Sequence, residues 1–256
     1  MLERLGRIRV VLVETTHPGN IGATARAMKT MGLKDLRLVN PLHFPDPEAD
    51  ARASGAEDLL AAARVAGSLT EAVHDCVRVI GASARTRKLA WPELDPRECG
   101  EALVRIADTG PVALVFGRER TGLTNAELDR CTDVVTIPAD PGYSSLNLGA
   151  AVQVLSYEIR MAALAGSQAP VAHEAEAPPA THEDLERLYA HLEAALDARE
   201  FLDRHNPEHL MRRLRRLYAR AGLDCNEVQI LRGMLTALAP EVKPPAPKTG
   251  DGALNT

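Results

Sequence analysis

The chain has 256 residues, 45% hydrophobic and 25% charged, and carries 30 Lys and Arg against 35 Asp and Glu for a formal charge of −5. Composition of this kind supports one large domain or a medium domain with a small one, and a mildly acidic whole must hold any polyanion through local basic patches. Aromatic residues at 3% argue against a reader that stacks successive bases, and four cysteines with no Cys-x-x-Cys pair argue against a zinc ribbon or a disulfide scaffold. No apolar run approaches a membrane span, and the expected location is the cytoplasm, away from membranes.

In chain order, the apolar run Ile8–Val13 predicts a strand covered on both faces, and Gly22–Met31 a helix. Leu36–Val39 follows as a strand, then Ala56–Ala63 and Leu69–Cys76 as helices, Val77–Ile80 as a strand and Pro96–Ala107 as a helix. Val112–Phe116 and Val134–Ile137 are strands around a short helix Asn125–Arg130, which cap residues precede. This alternation argues for an α/β domain with a mainly parallel sheet.

Asn147–Leu164 predicts a long helix with two apolar stripes. Leu148, Val152, Leu155 and Ile159 form one; Ala150, Val154, Tyr157 and Met161 form the other. Two stripes suit a helix buried inside a subunit or between subunits. Residues 165–181 contain three prolines and no periodicity, which predicts a linker. Helical patterns resume at Asp184–Arg199, Pro207–Ala221 and Glu227–Leu238, and the Pro- and Gly-rich tail Pro240–Thr256 reads as disordered. The expected layout is an α/β domain over 1–164, a linker over 165–181, a small all-α domain over 182–239 and a tail over 240–256.

Several enzyme signatures fail by one residue. His17-Pro18-Gly19-Asn20-Ile21-Gly22 lacks the first glycine of a dinucleotide fingerprint, which weakens a nicotinamide oxidoreductase. The loop Gly117–Thr124 has two glycines but a leucine where a phosphate loop needs lysine. Gly81-Ala82-Ser83-Ala84-Arg85 resembles a nucleophile elbow but ends in arginine, leaving a serine hydrolase as a minor alternative. The eight histidines show no metal-ligand spacing, so no metal is expected.

A positional argument survives. Ligands of open α/β sheets bind beyond the carboxyl ends of the strands. The segments there are His17–Arg26, Gly81–Lys88, Gly117–Gly122 and Pro138–Asn147, and they carry Arg26, Arg85, Arg87, Lys88, Arg118 and Arg120. A basic edge on an acidic protein suits a phosphate-bearing substrate.

HPGNIGATARAMKTMG, VALVFGRERTGLTNAELDRC and IPADPGYSSLNLGAAVQVLSYEIRMA resemble, in order, the three motifs of SPOUT-class RNA ribose 2′-O-methyltransferases. Within that class the chain is similar to the bacterial enzymes that act on the pyrimidine at position 32 of the tRNA anticodon loop. LDPREC at Leu94–Cys99 and the stretches LRRLYAR and EVQILRGML extend the likeness over nearly the whole chain. The resemblance implies a deep trefoil knot, which no periodicity reveals. It also implies S-adenosylmethionine as donor, S-adenosylhomocysteine as product, tRNA rather than DNA as partner, and an obligate homodimer with the site near the subunit interface.

Matched residue by residue, Ala82, Ser83, Ala84, Gly117, Ile137, Ser144, Ser145, Leu146 and Asn147 fall on cofactor-binding positions. Arg26 falls on the family's catalytic arginine, and Asn20, Glu119 and Ser145 on further positions of the catalytic set. Because arginine is almost never deprotonated in proteins, Arg26 is expected to grip the ribose-phosphate and stabilise developing oxyanion character. Arg85, Arg87 and Arg118 are the expected phosphate contacts near the site; Arg212, Arg213 and Arg216 are those of the helical region, whose wheel sets Leu210, Leu214, Leu217 and Ala221 opposite five arginines. The competing reading is a catalytically silent knotted RNA-binding scaffold, which would bind no S-adenosylmethionine.

Overall fold

The computed structural model describes residues 2–84, 93–165, 177–202 and 207–238. After a 3-10 helix at Leu2–Arg7 the elements run β1 (Ile8–Val13), α1 (Pro18–Met31), β2 (Asp35–Val39), α2 (Pro47–Ala53), α3 (Glu57–Ala61), β3 (Arg64–Ala66) and α4 (Leu69–Val73). Then follow β4 (Arg78–Ala82), β5 (Glu93–Leu94), α5 (Pro96–Ile106), β6 (Val112–Phe116), α6 (Asn125–Leu128), β7 (Asp133–Val135) and α7 (Leu148–Ala165). Three more helices close the described chain: α8 (His182–Asp197), α9 (Pro207–Ala221) and α10 (Cys225–Ala237).

The seven strands form one sheet in the order β3-β2-β1-β6-β4-β7-β5, and every pairing is parallel. All residues of β1 and β6, at its centre, are buried, because helices cover both faces. Alternate side chains go to opposite layers. Ile8, Val10 and Leu12, with Val112, Leu114 and Phe116, join the core beneath α1, α5 and α7. Val11, Val13, Ala113 and Val115 join a smaller core that includes Leu69, Ala72 and Val73 of α4 and Leu128 of α6.

Several elements have local causes. The capping box of Asp95 and Glu98 starts α5, with Pro96 in the first turn. The unexpected α2 has the same signals, Asp46 as N-cap and Pro47 behind it, and its Ala49 lies so close to α1 that a Cβ on Gly22 would come within 2.1 Å of its carbonyl oxygen. Strands β3 and β5 were not expected. At three and two residues, they fall below the length at which a pattern can repeat.

The long helix resolves its two stripes. Leu148, Val152, Leu155 and Ile159 are buried, whereas Tyr157 and Met161 are 47% and 43% exposed. Of the stretch read as a linker, Ala165 belongs to α7 and residues 166–176 lie outside the description, as does the tail 240–256. Residues 177–181 already belong to packed structure: Ala180 is buried, Pro179 bridges to Asp224, and Thr181 caps α8.

The three terminal helices have their own core, in which Tyr189 and Leu192 meet Met211, Leu214 and Tyr218. The apolar face of α9 is therefore turned from the expected one. Met211 is buried, while Leu217 is 49% exposed. Two backbone bonds join these helices to the sheet domain, from His182 N–H to the Cys76 carbonyl at 2.8 Å and from Glu183 N–H to the His74 carbonyl at 3.1 Å. An ion pair from Arg212 to Asp129 at 2.6 Å adds to them.

Candidate active site

One cleft of about 550 Å³ opens at the carboxyl ends of β6, β4 and β7, which are neighbours in the sheet. Its wall is built from three returns of the chain. Ala82, Ser83 and Ala84 leave β4; Phe116 and Gly117 leave β6 and lead into the turn to Gly122; Val135 and Ile137 leave β7, and the segment from Tyr143 to Leu148 completes the rim. All nine expected cofactor-binding residues line it, although they come from parts of the chain up to 65 residues apart (82 to 147). Gly117 is there for a backbone reason. A Cβ at this position would sit 2.2 Å from the carbonyl carbon of Gly122, so the close return of the loop excludes any side chain.

Asn20, Glu119 and Asn147 form a relay across the cleft. Asn147 Nδ2 donates to Asn20 Oδ1 at 3.0 Å, and Asn20 Nδ2 donates to Glu119 Oε1 at 3.0 Å. Glu119 also accepts the backbone N–H groups of Thr16 and His17, each at 3.2 Å, and the Thr16 hydroxyl at 2.9 Å. Burial would raise the pKa of its carboxyl group, but the Asn20 amide and backbone N–H groups outweigh that and hold it down to about 2. The carboxylate thus pins the loop between β1 and α1 onto the loop after β6. Asn147 turns its own Oδ1 to the Ala150 N–H at 3.3 Å, which ties the relay to the start of α7.

The arginines divide differently. Arg118 lines the cleft with its guanidinium between Glu14 and Glu127. Arg26 is exposed on α1 and does not line this cleft; at about 1.5 Å per residue it lies roughly 9 Å along the helix from Asn20. Arg85 and Arg87 fall outside the described residues. On α9, Arg213 and Arg220 are exposed, Arg212 pairs with Asp129, and Arg215 pairs with Glu186 while lying 4.4 Å over the Tyr189 ring. Arg216 lines a cavity of about 20 Å³ between α8, α9 and the segment 129–132 that follows α6, room for a single water. The expected separation of an apolar face from a purely solvent-facing basic one fails here, because arginine stems pack along apolar surface while their heads find carboxylates.

Sequence reasoning missed Phe116, Val135, Leu148 and Ala151 as lining residues, and placed His17 and Tyr143 at the ligand edge only as part of their segments. Tyr143, 83% exposed at the cleft mouth, stands within the third quoted motif, which was the available signal. Among the described residues no helix is long and apolar enough to cross a membrane.

Residues 7–157 match the SpoU rRNA Methylase family, and residues 183–247 match the C-terminal domain of the tRNA methyltransferase TrmJ. The chain is 53% identical over 251 residues to the tRNA (cytidine/uridine-2'-O-)-methyltransferase TrmJ of Yersinia pestis (strain Pestoides F), spanning 97% of this chain and 98% of that one. In three dimensions it is similar to TrmJ from Z. mobilis ZM4, with a TM-score of 0.78, 34% identity, and coverage of 90% of this chain and 98% of the other. A probable methylase family protein from Haemophilus influenzae Rd KW20 gives a TM-score of 0.61 at 47% identity, covering 91% and 96%. The first of these matches contains every loop that builds the cleft, and the chain belongs to the SpoU methylase family.

Proposed function

We propose that this protein transfers a methyl group from S-adenosylmethionine to the ribose 2′-hydroxyl of a pyrimidine in tRNA, at position 32 of the anticodon loop. The observation that carries this reading is the convergence of three family motifs on one cleft at the carboxyl ends of adjacent parallel strands. The cleft fits the donor by volume and by chemistry. It lies within the range of small-molecule sites, offers Ile137 and Leu146 as an apolar slot, and borders it with loop backbone and the Ser144 and Ser145 hydroxyls. Segment 136–147 leaves β7 near one edge of the sheet and leads into α7, and on this reading it belongs to the family's trefoil knot.

When bound, S-adenosylmethionine supplies an electrophilic methyl on a sulfonium. The chain's residues orient the acceptor and meet the charge that develops on its oxygen. Ser145 and Asn147 stand beside the donor slot, and the relay through Asn20 to Glu119 fixes the loop that faces it. Arg26, exposed and off its own cleft, serves the cleft of a second subunit. The exposed apolar face of α7, with Tyr157 and Met161, is the surface that brings the two subunits together. Phosphates of the tRNA are held by the exposed arginines of α9, Arg213 and Arg220, and the sequence offers Arg85 and Arg87 as further contacts.

Mass-spectrometric mapping of ribose methylation in tRNA from cells lacking the gene tests the assignment. Loss of the 2′-O-methyl at position 32, restored by the intact gene, is expected; unchanged anticodon-loop methylation rejects the substrate. Calorimetry with S-adenosylmethionine tests the donor separately, since a silent scaffold gives no heat.

A further inference from the structure

Arg118 sits one residue after the glycine that closes the cofactor loop, and its guanidinium spans two elements. Its Nε and Nη2 reach Glu14 at 2.8 and 2.7 Å, and its Nη1 and Nη2 reach the two Glu127 oxygens at 3.0 Å each. Its carbonyl also accepts the Gly122 N–H at 2.9 Å, closing the turn. Glu127 is the N3 residue of the capping box that starts α6, and Glu14 is the residue at which the chain leaves β1. Glu14 has φ +48, a left-handed conformation disfavoured for a residue with a side chain. The next residue, Glu119, holds Thr16, His17 and Asn20. Two consecutive side chains therefore clamp the same β1–α1 loop, and Arg118 carries that clamp on to α6.

We infer that Arg118 is a positioning residue for the methyl-donor site: through Glu14 and Glu127 it fixes the 117–122 loop in the shape the donor needs, and it is not an RNA contact. The inference rests on the reading of the cleft as the S-adenosylmethionine site. A fork whose two bidentate edges are both taken by carboxylates offers neither to a phosphate, and the side chain is 21% exposed.

Three variants separate the roles, each measured for S-adenosylmethionine affinity by calorimetry, for KM of donor and of tRNA, and for amide exchange at Gly122 without donor. Arg118→Met is expected to weaken donor binding about tenfold, the scale of a lost charge-assisted contact, and to leave the KM for tRNA within about twofold. Arg118→Lys restores part of the affinity, because one ammonium cannot make the fork. Glu14→Gln is the decisive variant, since it removes an acid, and an RNA-contact role for Arg118 predicts no loss of donor affinity from that change. It is expected to weaken donor binding by about fivefold and to speed exchange at Gly122. Donor affinity unchanged in Glu14→Gln, or a fall in tRNA affinity alone in Arg118→Met, overturns the proposal. If Arg118→Met does not fold, Glu14→Gln still decides it. An unaltered protein that binds no S-adenosylmethionine overturns the donor-site reading instead.

Discussion

The side-chain amide of Asn147 donates to Asn20 Oδ1 at 3.0 Å across 127 residues of sequence, joining the rim of the cleft to the first turn of α1. Glu119 then receives the other end of the Asn20 amide. Because the Glu119 carboxyl is held well below its ordinary 4.5, its contribution to stability is present above that value and is lost as pH falls through about 2. Thermal unfolding followed against pH is expected to show that loss in the unaltered protein and to lack it in Glu119→Gln. Identical pH profiles for the two would count against the relay.

Arg26→Ala is expected to lower methyl transfer by at least about a hundredfold while leaving donor affinity within about threefold. Arg26→Lys should fail as well, because a point charge does not reproduce a planar fork. A hybrid dimer tests the cross-subunit placement. Arg26→Ala in one subunit and Gly117→Val in the other leaves one intact cleft facing one intact arginine only if Arg26 acts across the interface. Activity recovered in the hybrid is the expected outcome; two inactive parents giving an inactive hybrid means that Arg26 serves its own cleft.

Light scattering at micromolar concentration should report a dimer of the 27.6 kDa chain. Tyr157→Asp with Met161→Glu places two charges on the exposed face of α7 and should yield monomers that still unfold cooperatively, since neither residue belongs to the buried stripe. A monomeric unaltered protein would remove the basis for both this prediction and the preceding one.

A chain ending at residue 165 keeps the sheet domain and its cleft, and is expected to bind donor but to methylate full-length tRNA poorly. Within the full chain the arginines of α9 should divide by their partners. Arg213→Ala and Arg220→Ala should each make the slope of log affinity for tRNA against log salt shallower by about one. Arg212→Ala, which frees Asp129, should loosen the docking of α9, read as faster amide exchange there, with little change in slope. Equal effects of all three would mean that the docked arginines also reach RNA.

The centre of the sheet was legible because β1 and β6 are long enough for their apolar runs to show, and their observed bounds are those expected. The edge that holds the cleft was legible from the strand-end rule, which set 17–26, 81–88, 117–122 and 138–147 there, but the individual lining residues were legible only through motif likeness. No local signal says that Ser83, Gly117 and Ser145 share one wall, since strand order is a tertiary fact. Arg9 was illegible for the same reason. It looks like a polar break in a strand, but it is 3% exposed and bound to Asp35 and Asp75, so a buried cluster stands where pattern shows only a misplaced charge. Arg118, a charged residue in a glycine loop, reads in the sequence as a ligand contact, and its two carboxylate partners are visible only in the fold.

The terminal helices attach at His74, Cys76 and Asp129, which precede β4 and β7, whereas the cleft lies beyond the far ends of those same strands. Strand β4 alone spans about 16 Å at roughly 3.3 Å per residue. On the proposed grip of α9 on RNA, that separation acts as a gauge. An RNA held there extends past the depth of the sheet before its ribose meets this cleft, so reach is expected to enter substrate selection. A stem-loop cut short of that span loses the grip while keeping the target nucleotide, and its methylation should become nearly as slow with the complete chain as with the chain ending at residue 165.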